Sequence, residues 1–255
     1  MIIRKSTAEI ERMARAGRVV VDTLTLLGEH IRPGTTTAEL DALAEEFIRS
    51  QGGAPTFKGY RGYPASICTS PNDMIVHGIP GSYALEEGDI LSIDVGVTLD
   101  GYVADSAYTF AVGRIEPEAD RLLEVCRDAL AAGVEQCQPA GRLSDISHAV
   151  QRVTEENGYS VVRALVGHGV GRSMHEDPQV PNFGPPGRGP ELAPGMVFAI
   201  EPMINAGGPD ITIEDDQWSI RTADGSLSAH FEHTVAVTEE GPRILTLAEA
   251  CVPGG

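Results

Sequence analysis

A repeated order of helix and turn signals is the feature of this sequence that most limits its fold. The capping box Ser6–Glu9 predicts a helix whose apolar residues recur at helical spacing to about Leu27. After a Pro33-Gly34 turn, a second box at Thr36–Glu39 predicts another helix, which Gly52-Gly53 ends. Two consecutive capped helices therefore open the chain.

The same order returns about 106 residues later. Pro117 opens a helix, a turn follows at Pro139-Ala140-Gly141, Ser144 caps the next helix, and Asn157-Gly158 ends it. β-rich sequence follows each copy, at 90–110 after the first and at 161–166, 196–200 and 231–237 after the second. The pattern predicts one α+β domain, 1–255, of two similar halves, about 1–112 and 113–255. Helix-turn-helix-strand order is common, so chance repetition is the alternative.

Charge and cysteine content restrict the class of ligand and the compartment. The chain has 19 Lys and Arg against 37 Asp and Glu, a net charge of −18. Nucleic acids and anionic membranes require a basic face, so neither DNA nor a membrane is expected as a partner, and a small cationic group is favoured. Four separated cysteines without a Cys-x-x-Cys motif, and the lack of a targeting or membrane-spanning run, predict a cytoplasmic protein.

An Asp100-Gly101 turn between two β-rich runs predicts a hairpin with a defined register. With these two residues in the loop, Asp94 lies opposite Ala107, and Asp105 is its diagonal neighbour on the same face. Two carboxylates can then converge on one point. The alternative is that both are solvated strand residues, but Asp94 lies in an apolar run, where an unpaired charge is costly.

Three further candidate ligands lie at the ends of later apolar runs: His168, Glu201 and Glu232. Each alone could be a turn histidine or a salt-bridged acid. Together with the two aspartates they make four carboxylates and one imidazole at strand ends. This oxygen-rich set suits two divalent cations.

The five candidate ligands belong to a longer series of motifs. In chain order these are Tyr60–Cys68, His77-Gly78-Ile79-Pro80, Asp94, Asp105, Gly167–Gly171, His175, Ile200-Glu201-Pro202 and Phe231-Glu232-His233-Thr234. With these motifs the sequence resembles the type I methionine aminopeptidases over nearly its whole length. The intervals from His168 to Glu201 and to Glu232 leave no space for the helical insertion of type II relatives, and the lack of a long N-terminal extension favours the bacterial type.

The resemblance implies the pita-bread (creatinase/aminopeptidase) fold, in which two pseudo-symmetric α+β halves surround a central antiparallel sheet. It implies that two divalent ions, of Co, Mn, Fe or Zn, are held by five residues, two of which, Asp105 and Glu232, bridge them. It also implies that Glu201 is the base for the attacking water. The implied ligands are Asp94, Asp105, His168, Glu201 and Glu232.

Further roles are also implied by the resemblance. His175 would contact the substrate carbonyl oxygen and His77 the scissile nitrogen, although each could instead be a turn histidine. The residues that would enclose the methionine side chain, with His77, are Tyr60, Tyr63, Cys68, Met174 and Trp218. The tyrosines and Trp218 could instead be core aromatics, and Met174 departs from the aromatic residue often found there.

The implied activity is removal of the initiator methionine from nascent polypeptides whose second residue is small. A transient ribosome contact and a monomeric state are further expectations. Two alternatives remain: a proline-specific aminopeptidase on the same fold and a non-catalytic pita-bread binding protein. The first usually carries an additional N-terminal domain, for which Asp94 comes too early, and the second typically loses ligands.

Overall fold

In the part of the chain that the structure describes, four helices form two consecutive pairs, as the repeated signals predict. The computed structural model describes residues 1–247. The helices are α1 (Thr7–His30), α2 (Thr37–Ser50), α3 (Pro117–Glu135) and α4 (Leu143–Glu156). A 3-10 turn covers Tyr60–Gly62.

The N-terminal caps show which local signals determine where each helix begins. Both predicted capping boxes are present: Ser6 caps α1 and Thr36 caps α2, each with reciprocal bonds to the glutamate three residues on. The predicted cap at Ser144 is wrong. The Asp145 carboxylate accepts the backbone N–H of Arg142 at 2.8 Å, so the cap is Arg142 and α4 begins two residues earlier than a cap at Ser144 would place it. The Ser144 hydroxyl instead accepts the N–H of Arg188.

Fifteen strands pair only in antiparallel fashion within the described chain. The strands are β1 (Ala54–Pro55), β2 (Cys68–Pro71), β3 (Met74–Val76), β4 (Ile90–Leu99), β5 (Tyr102–Ala111), β6 (Ser160–Val161), β7 (Val166–Gly169), β8 (Glu176–Pro181), β9 (Val197–Ile200), β10 (Met203–Asn205), β11 (Ile211–Ile213), β12 (Ile220–Thr222), β13 (Ser228–His230), β14 (His233–Thr238) and β15 (Gly241–Ile244).

Two larger sheets dominate the arrangement, and two three-stranded sheets complete it. One contains β1, β4 and β2 with β5 paired to β4, and the other has the order β15-β14-β9-β7-β8. The β-rich sequence expected at 161–166 is not one continuous strand: only its two ends lie in strands, β6 and β7, which join different sheets. The strand predicted from Phe231 begins at His233, because the Glu232 N–H donates to Ala107 of β5 instead.

Each helix pair covers its own hydrophobic cluster. Apolar residues of α1 and α2 pack with β4, as Leu27, Leu40 and Ile93 illustrate. Those of α3 and α4 pack with β9 and β14 around Leu122 and Phe198. The expected α+β, antiparallel arrangement is present. The strands that lie between the two clusters meet at the centre.

The central contact joins β5 to the segment 230–234. The Thr234 hydroxyl accepts the N–H of Asp105 at 2.9 Å and donates to its carbonyl oxygen at 2.8 Å. The Thr109 hydroxyl makes the same pair of bonds with the backbone of His230, at 2.9 and 2.8 Å. Threonine side chains therefore replace a continuous backbone ladder here: Thr234 joins β5 to β14 of the other larger sheet, and Thr109 joins β5 to β13 of a three-stranded sheet.

Two expectations about composition can be compared with the described residues. No helix within residues 1–247 has an apolar stretch long enough to cross a membrane. Cys68, Cys126 and Cys137 are buried free thiols, and Cys251 lies outside the described residues. No disulfide framework is present in that part of the chain, as the spacing predicts.

Thr234→Val is expected to lower the free energy of unfolding by about 1–3 kcal/mol, because the isosteric valine leaves buried backbone groups of Asp105 without partners. Urea unfolding measures the change. Thr212→Val is the matched control, since Thr212 is exposed on β11. Equal stability of the two variants would contradict the role assigned to the threonine contact.

Candidate metal centre

A cavity of about 310 Å³ lies where the two larger sheets meet. Every site residue named from the sequence lines it, so residues far apart in the chain converge on one space. These residues are Tyr60, Tyr63, Cys68, His77, Asp94, Asp105, His168, Met174, His175, Glu201, Trp218 and Glu232.

The β4–β5 hairpin places two carboxylates in the cavity wall. Asp94 pairs with Ala107 and Gly96 with Asp105, which is the register predicted from the Asp100-Gly101 turn. Cys68 on β2 lies opposite Asp94 on the other side of β4. Side chains two residues apart on a strand share a face, so Asp94 and Asp105, the partner of Gly96, are diagonal neighbours that point into the same space.

The other sheet supplies the remaining candidate ligands. His168 pairs with Ala199 across β7 and β9, Glu201 follows β9, and Glu232 precedes β14. The His168 Nε2 atom lies 3.5 Å from a Glu201 oxygen and 3.9 Å from an Asp105 oxygen. One ligand atom each from Asp105, His168 and Glu232 lies within 4.8 Å of the others. The geometry suits a cation between them.

Unpartnered oxygen atoms indicate that the cluster suits cations. Asp94 Oδ1, Asp105 Oδ1 and Glu232 Oε1 are buried and accept no hydrogen bond from the described residues. Leaving buried carboxylate oxygens without a partner is costly unless a cation coordinates them. Carboxylate and imidazole donors together suit divalent transition metals.

Crowding changes the protonation of these carboxyl groups in the metal-free protein. Desolvation, with neighbouring carboxylates adding to it, raises the pKa values of Asp94, Glu201 and Glu232 well above their usual range. Desolvation raises the pKa of Asp105 to about 7. The four groups cannot all carry negative charge without a positive partner.

The three histidines that line the cavity are neutral at physiological pH. Desolvation, with His175 nearby, lowers the pKa values of His77 and His168 to about 4. Desolvation and the Arg61 guanidinium lower the pKa of His175. A neutral imidazole retains the lone pair that metal coordination requires. These three imidazoles therefore add no positive charge to the site.

His77 reaches the cavity through an unusual backbone conformation. Its φ is 61°, in the left-handed region that non-glycine residues rarely adopt. The next residue must be glycine, because a Cβ atom on Gly78 would lie 2.1 Å from the Thr69 carbonyl oxygen. The His77-Gly78 pair thus directs an imidazole into the cavity wall.

His175 lies on the loop between β7 and β8, and its side chain is exposed. Its Nδ1 atom lies 2.8 Å from the Tyr60 hydroxyl, and the two rings stack with centroids 5.4 Å apart. The His168 ring is 4.2 Å away on another side. His175 is therefore held over the candidate ligands by an aromatic neighbour.

An apolar wall adjoins the carboxylates. Phe57, Tyr63 and Cys68 form a buried cluster, and Trp218 and Met174 pack against it. The Tyr63 and Trp218 rings meet edge to face with centroids 5.1 Å apart. The cavity therefore combines an anionic end with an aromatic, sulfur-containing end.

Several site residues escaped the sequence analysis. Phe57, Arg61 and Met203 also line the cavity, and Arg61 and Met203 lie within two residues of positions that were named. The Asn182 amide donates to the Glu201 carbonyl oxygen at 2.9 Å, and Thr234 holds the backbone of Asp105. No local pattern marks Asn182, whereas Thr234 falls within the Phe231–Thr234 motif.

Comparison with known proteins identifies the family. The sequence profile of metallopeptidase family M24 matches residues 11–239. The chain belongs to metallopeptidase family M24. Among its relatives, the methionine aminopeptidase of Clostridium perfringens is 54% identical over 97% of this chain and 99% of its own, and methionine aminopeptidase 1 of Bacillus subtilis is 53% identical over 96% and 99%.

Solved structures confirm the pita-bread fold of this M24 metallopeptidase. The methionine aminopeptidase of Rickettsia prowazekii matches with a TM-score of 0.96 and 42% identity over 97% of this chain and 100% of its own. The prolidase of Pyrococcus furiosus matches with a TM-score of 0.78 and 24% identity over 97% and 66%. At that identity the prolidase shows the shared fold alone.

Asp105→Asn is expected to stabilise the metal-free protein at about pH 8 relative to wild type and to reduce the stabilisation caused by added Mn²⁺. Because the folded-state pKa of Asp105 is raised, the folded protein binds more protons than the unfolded chain between about pH 4 and pH 7. Wild-type stability should therefore fall relative to the variant as the pH rises through this window.

Thermal unfolding with EDTA and with Mn²⁺ across that pH range measures both effects. Asp128→Asn, which removes an exposed charge of the same sign, is the control. A variant that is no more stable than wild type at about pH 8 in EDTA would contradict the assignment.

Proposed function

We propose that this M24 metallopeptidase is a methionine aminopeptidase that removes N-terminal methionine when the second residue is small. One observation carries the proposal: an aromatic, sulfur-containing wall adjoins four carboxylates in the same cavity. A thioether side chain packs favourably against aromatic rings and methionine sulfur. The carboxylates suit the metal ions that its family uses.

Asp94, Asp105, His168, Glu201 and Glu232 would hold two divalent ions. The buried, unpartnered oxygen atoms of Asp94, Asp105 and Glu232 support this assignment. Bound divalent cations supply Lewis acidity, which lowers the pKa of water and polarises a carbonyl group. Co, Mn, Fe and Zn all accept this donor set.

Glu201 would act as the general base. Its carboxylate lies beside His168 at the floor of the cavity, and its backbone carbonyl is fixed by Asn182. It would accept a proton from the attacking water and hold it for the leaving amine. A positioned carboxylate can act first as base and then as acid in this way.

The two remaining histidines would contact the substrate. His175, braced by Tyr60, would donate a hydrogen bond to the oxygen of the scissile carbonyl as negative charge develops there. His77 would lie beside the scissile nitrogen. Both imidazoles are neutral near pH 7, so each can donate one hydrogen bond without adding charge.

The apolar wall would enclose the methionine side chain. Tyr63, Cys68 and Trp218 form most of it, with Tyr60 at the rim. Met174 packs both against this wall and against the cluster beneath α1, so it would shape the pocket and also support the core. The α-amino group, a cation below a pKa near 8, suits the acidic end.

The physiological substrates would be the N-termini of nascent polypeptides in the cytoplasm. The enzyme would act as a monomer with transient contact to the ribosome. The proline-specific alternative is less favoured, because the relatives at high identity over both full chains are methionine aminopeptidases. Retention of all five candidate ligands disfavours a non-catalytic binding protein.

Purified enzyme supplied with Mn²⁺ or Co²⁺ is expected to release methionine from Met-Ala-Ser and at least tenfold more slowly from Met-Ile-Ser. The β-branched second residue would collide beside the reacting bond, where a misplacement of about 1 Å can cost 10² in rate. Mass spectrometry of the products measures this. EDTA should abolish release, and faster cleavage of Ala-Pro-Ser than of Met-Ala-Ser would favour the proline-specific alternative.

Glu201→Gln is expected to lower kcat by at least about 10², because an amide cannot accept the proton of water. Steady-state kinetics on Met-Ala-Ser, with metal content measured in parallel, tests this. Glu46→Gln on the exposed face of α2 is the control. A loss below tenfold in a metal-replete variant would refute the role of base.

A further inference from the structure

One buried ion pair lies outside the candidate metal centre. The Lys5 ammonium lies 2.7 Å from the Glu176 Oε2 atom, and the two side chains are only 4% and 8% exposed. Among the ion pairs that Lys or Arg makes within residues 1–247, only this one has both side chains less than a tenth exposed. It joins residues 171 positions apart.

Glu176 organises the loop that carries His175. Its Oε1 atom accepts the backbone N–H groups of Arg172 at 2.9 Å and Ser173 at 3.3 Å, while Oε2 accepts from Lys5. The carboxylate of the last residue therefore holds the first two residues of the turn 172–176. Met174 and His175 lie within that turn and line the cavity.

Lys5 is itself fixed to the body of the protein. Its backbone N–H donates to the Gly195 carbonyl oxygen at 2.6 Å, and the Gly195 N–H donates to Val237 of β14 at 2.9 Å. Its ammonium also donates to the Ile3 carbonyl oxygen at 3.1 Å. The lysine thus connects β14, which follows Glu232, to the loop of His175.

Glycines provide the space for this pair. A Cβ atom on Gly171 would lie 2.5 Å from Lys5 Cε and 2.6 Å from Glu176 Oε1. A Cβ atom on Gly195, whose φ is +94°, would lie 2.6 Å from the Lys5 carbonyl oxygen. Glycine at these two positions therefore lets the backbone pass close to Lys5 and Glu176 without a steric clash.

His175 needs such support because its own side chain is exposed. Its contacts with Tyr60 and His168 orient the ring but leave the backbone position to be fixed by its neighbours. Glu176 is the adjacent residue and the only member of the turn with a largely buried charged side chain. Small displacements of a group that contacts the reacting atoms are costly.

We propose that the Lys5–Glu176 ion pair positions His175 and Met174, so that Lys5, in the N-terminal segment 1–6, supports the site from outside the cavity. Lys5 and Glu176 are positioning residues, since they act through the turn 172–176. The catalytic consequence rests on the proposed methionine aminopeptidase function. The structural consequence, an ordered turn, does not depend on it.

Two single variants and their combination test the proposal. Lys5→Met leaves the Glu176 carboxylate buried without its cation. Glu176→Gln can keep the Oε1 contacts but directs an amide NH₂ at the lysine ammonium. The double variant removes both charges and retains the Oε1 contacts, so its defect should be smaller than the sum of the two single defects.

Each single variant is expected to lower kcat on Met-Ala-Ser at least tenfold, with a smaller change in KM, because His175 is proposed to act mainly in the transition state. The double variant should recover at least threefold in kcat over the poorer single variant. Arg4→Met is the control: it removes a bond from the same segment to Pro194 but none to the turn, and its kcat should stay within twofold of wild type.

Hydrogen–deuterium exchange on the metal-free proteins supplies the readout independent of activity. Faster exchange confined to 171–177 and the N-terminal segment in both single variants, but not in Arg4→Met, supports the proposal. Unchanged exchange there, or faster exchange spread over the whole chain, overturns it. If the wild type cleaves no methionyl peptide, the proposed function fails, and the exchange result still decides whether the pair orders the turn.

Discussion

Four carboxylates share one buried cavity, and the remainder of the structure depends on holding them there against their mutual repulsion. Asp94 and Asp105 come from the β4–β5 hairpin, whereas Glu201 and Glu232 come from the ends of β9 and β14. Neither sheet alone supplies four. The centre therefore exists only where the two sheets meet, and the contacts that join them also define the site.

Threonine hydroxyls make that junction specific. A continuous ladder between β5 and β14 would allow slippage by two residues with little change in backbone bonding. The Thr234 hydroxyl instead bonds both backbone groups of Asp105, and the Thr109 hydroxyl does the same for His230. These contacts place Asp105 beside Glu232 in one register. The same bonds that stabilise the junction thus position two proposed ligands.

Local and long-range features differ in how far the sequence predicts them. The hairpin register followed from the two-residue Asp100-Gly101 turn, because turn geometry and strand period act over neighbouring residues. The separation of β6 from β7 did not, since their partners come from distant strands. Asn182 was likewise unpredictable, because its amide meets the carbonyl oxygen of Glu201, nineteen residues away. The division into halves near residue 112 stays a prediction.

The candidate site shows the same division between local and distant information. Family motifs named every candidate ligand, and the cavity lining brings them together. What they did not reveal is how the exposed His175 is held, because Lys5 lies 171 positions before its partner Glu176 and falls in no motif. Supporting contacts of this kind depend on chain segments that meet only in the folded protein.

Charge balance links the metal centre to the choice of substrate. Desolvation keeps His77 and His168 neutral near pH 7, so neither offsets the negative carboxylates. Among the described residues that line the cavity, Arg61 is the one with a permanently cationic side chain, and it is exposed. The four carboxyl groups can therefore all ionise only when cations bind, and the α-amino group of the proposed substrate would be attracted to the same acidic end. The aromatic wall beside that end then leaves a space suited to an uncharged, flexible side chain, which is the combination that an N-terminal methionine presents.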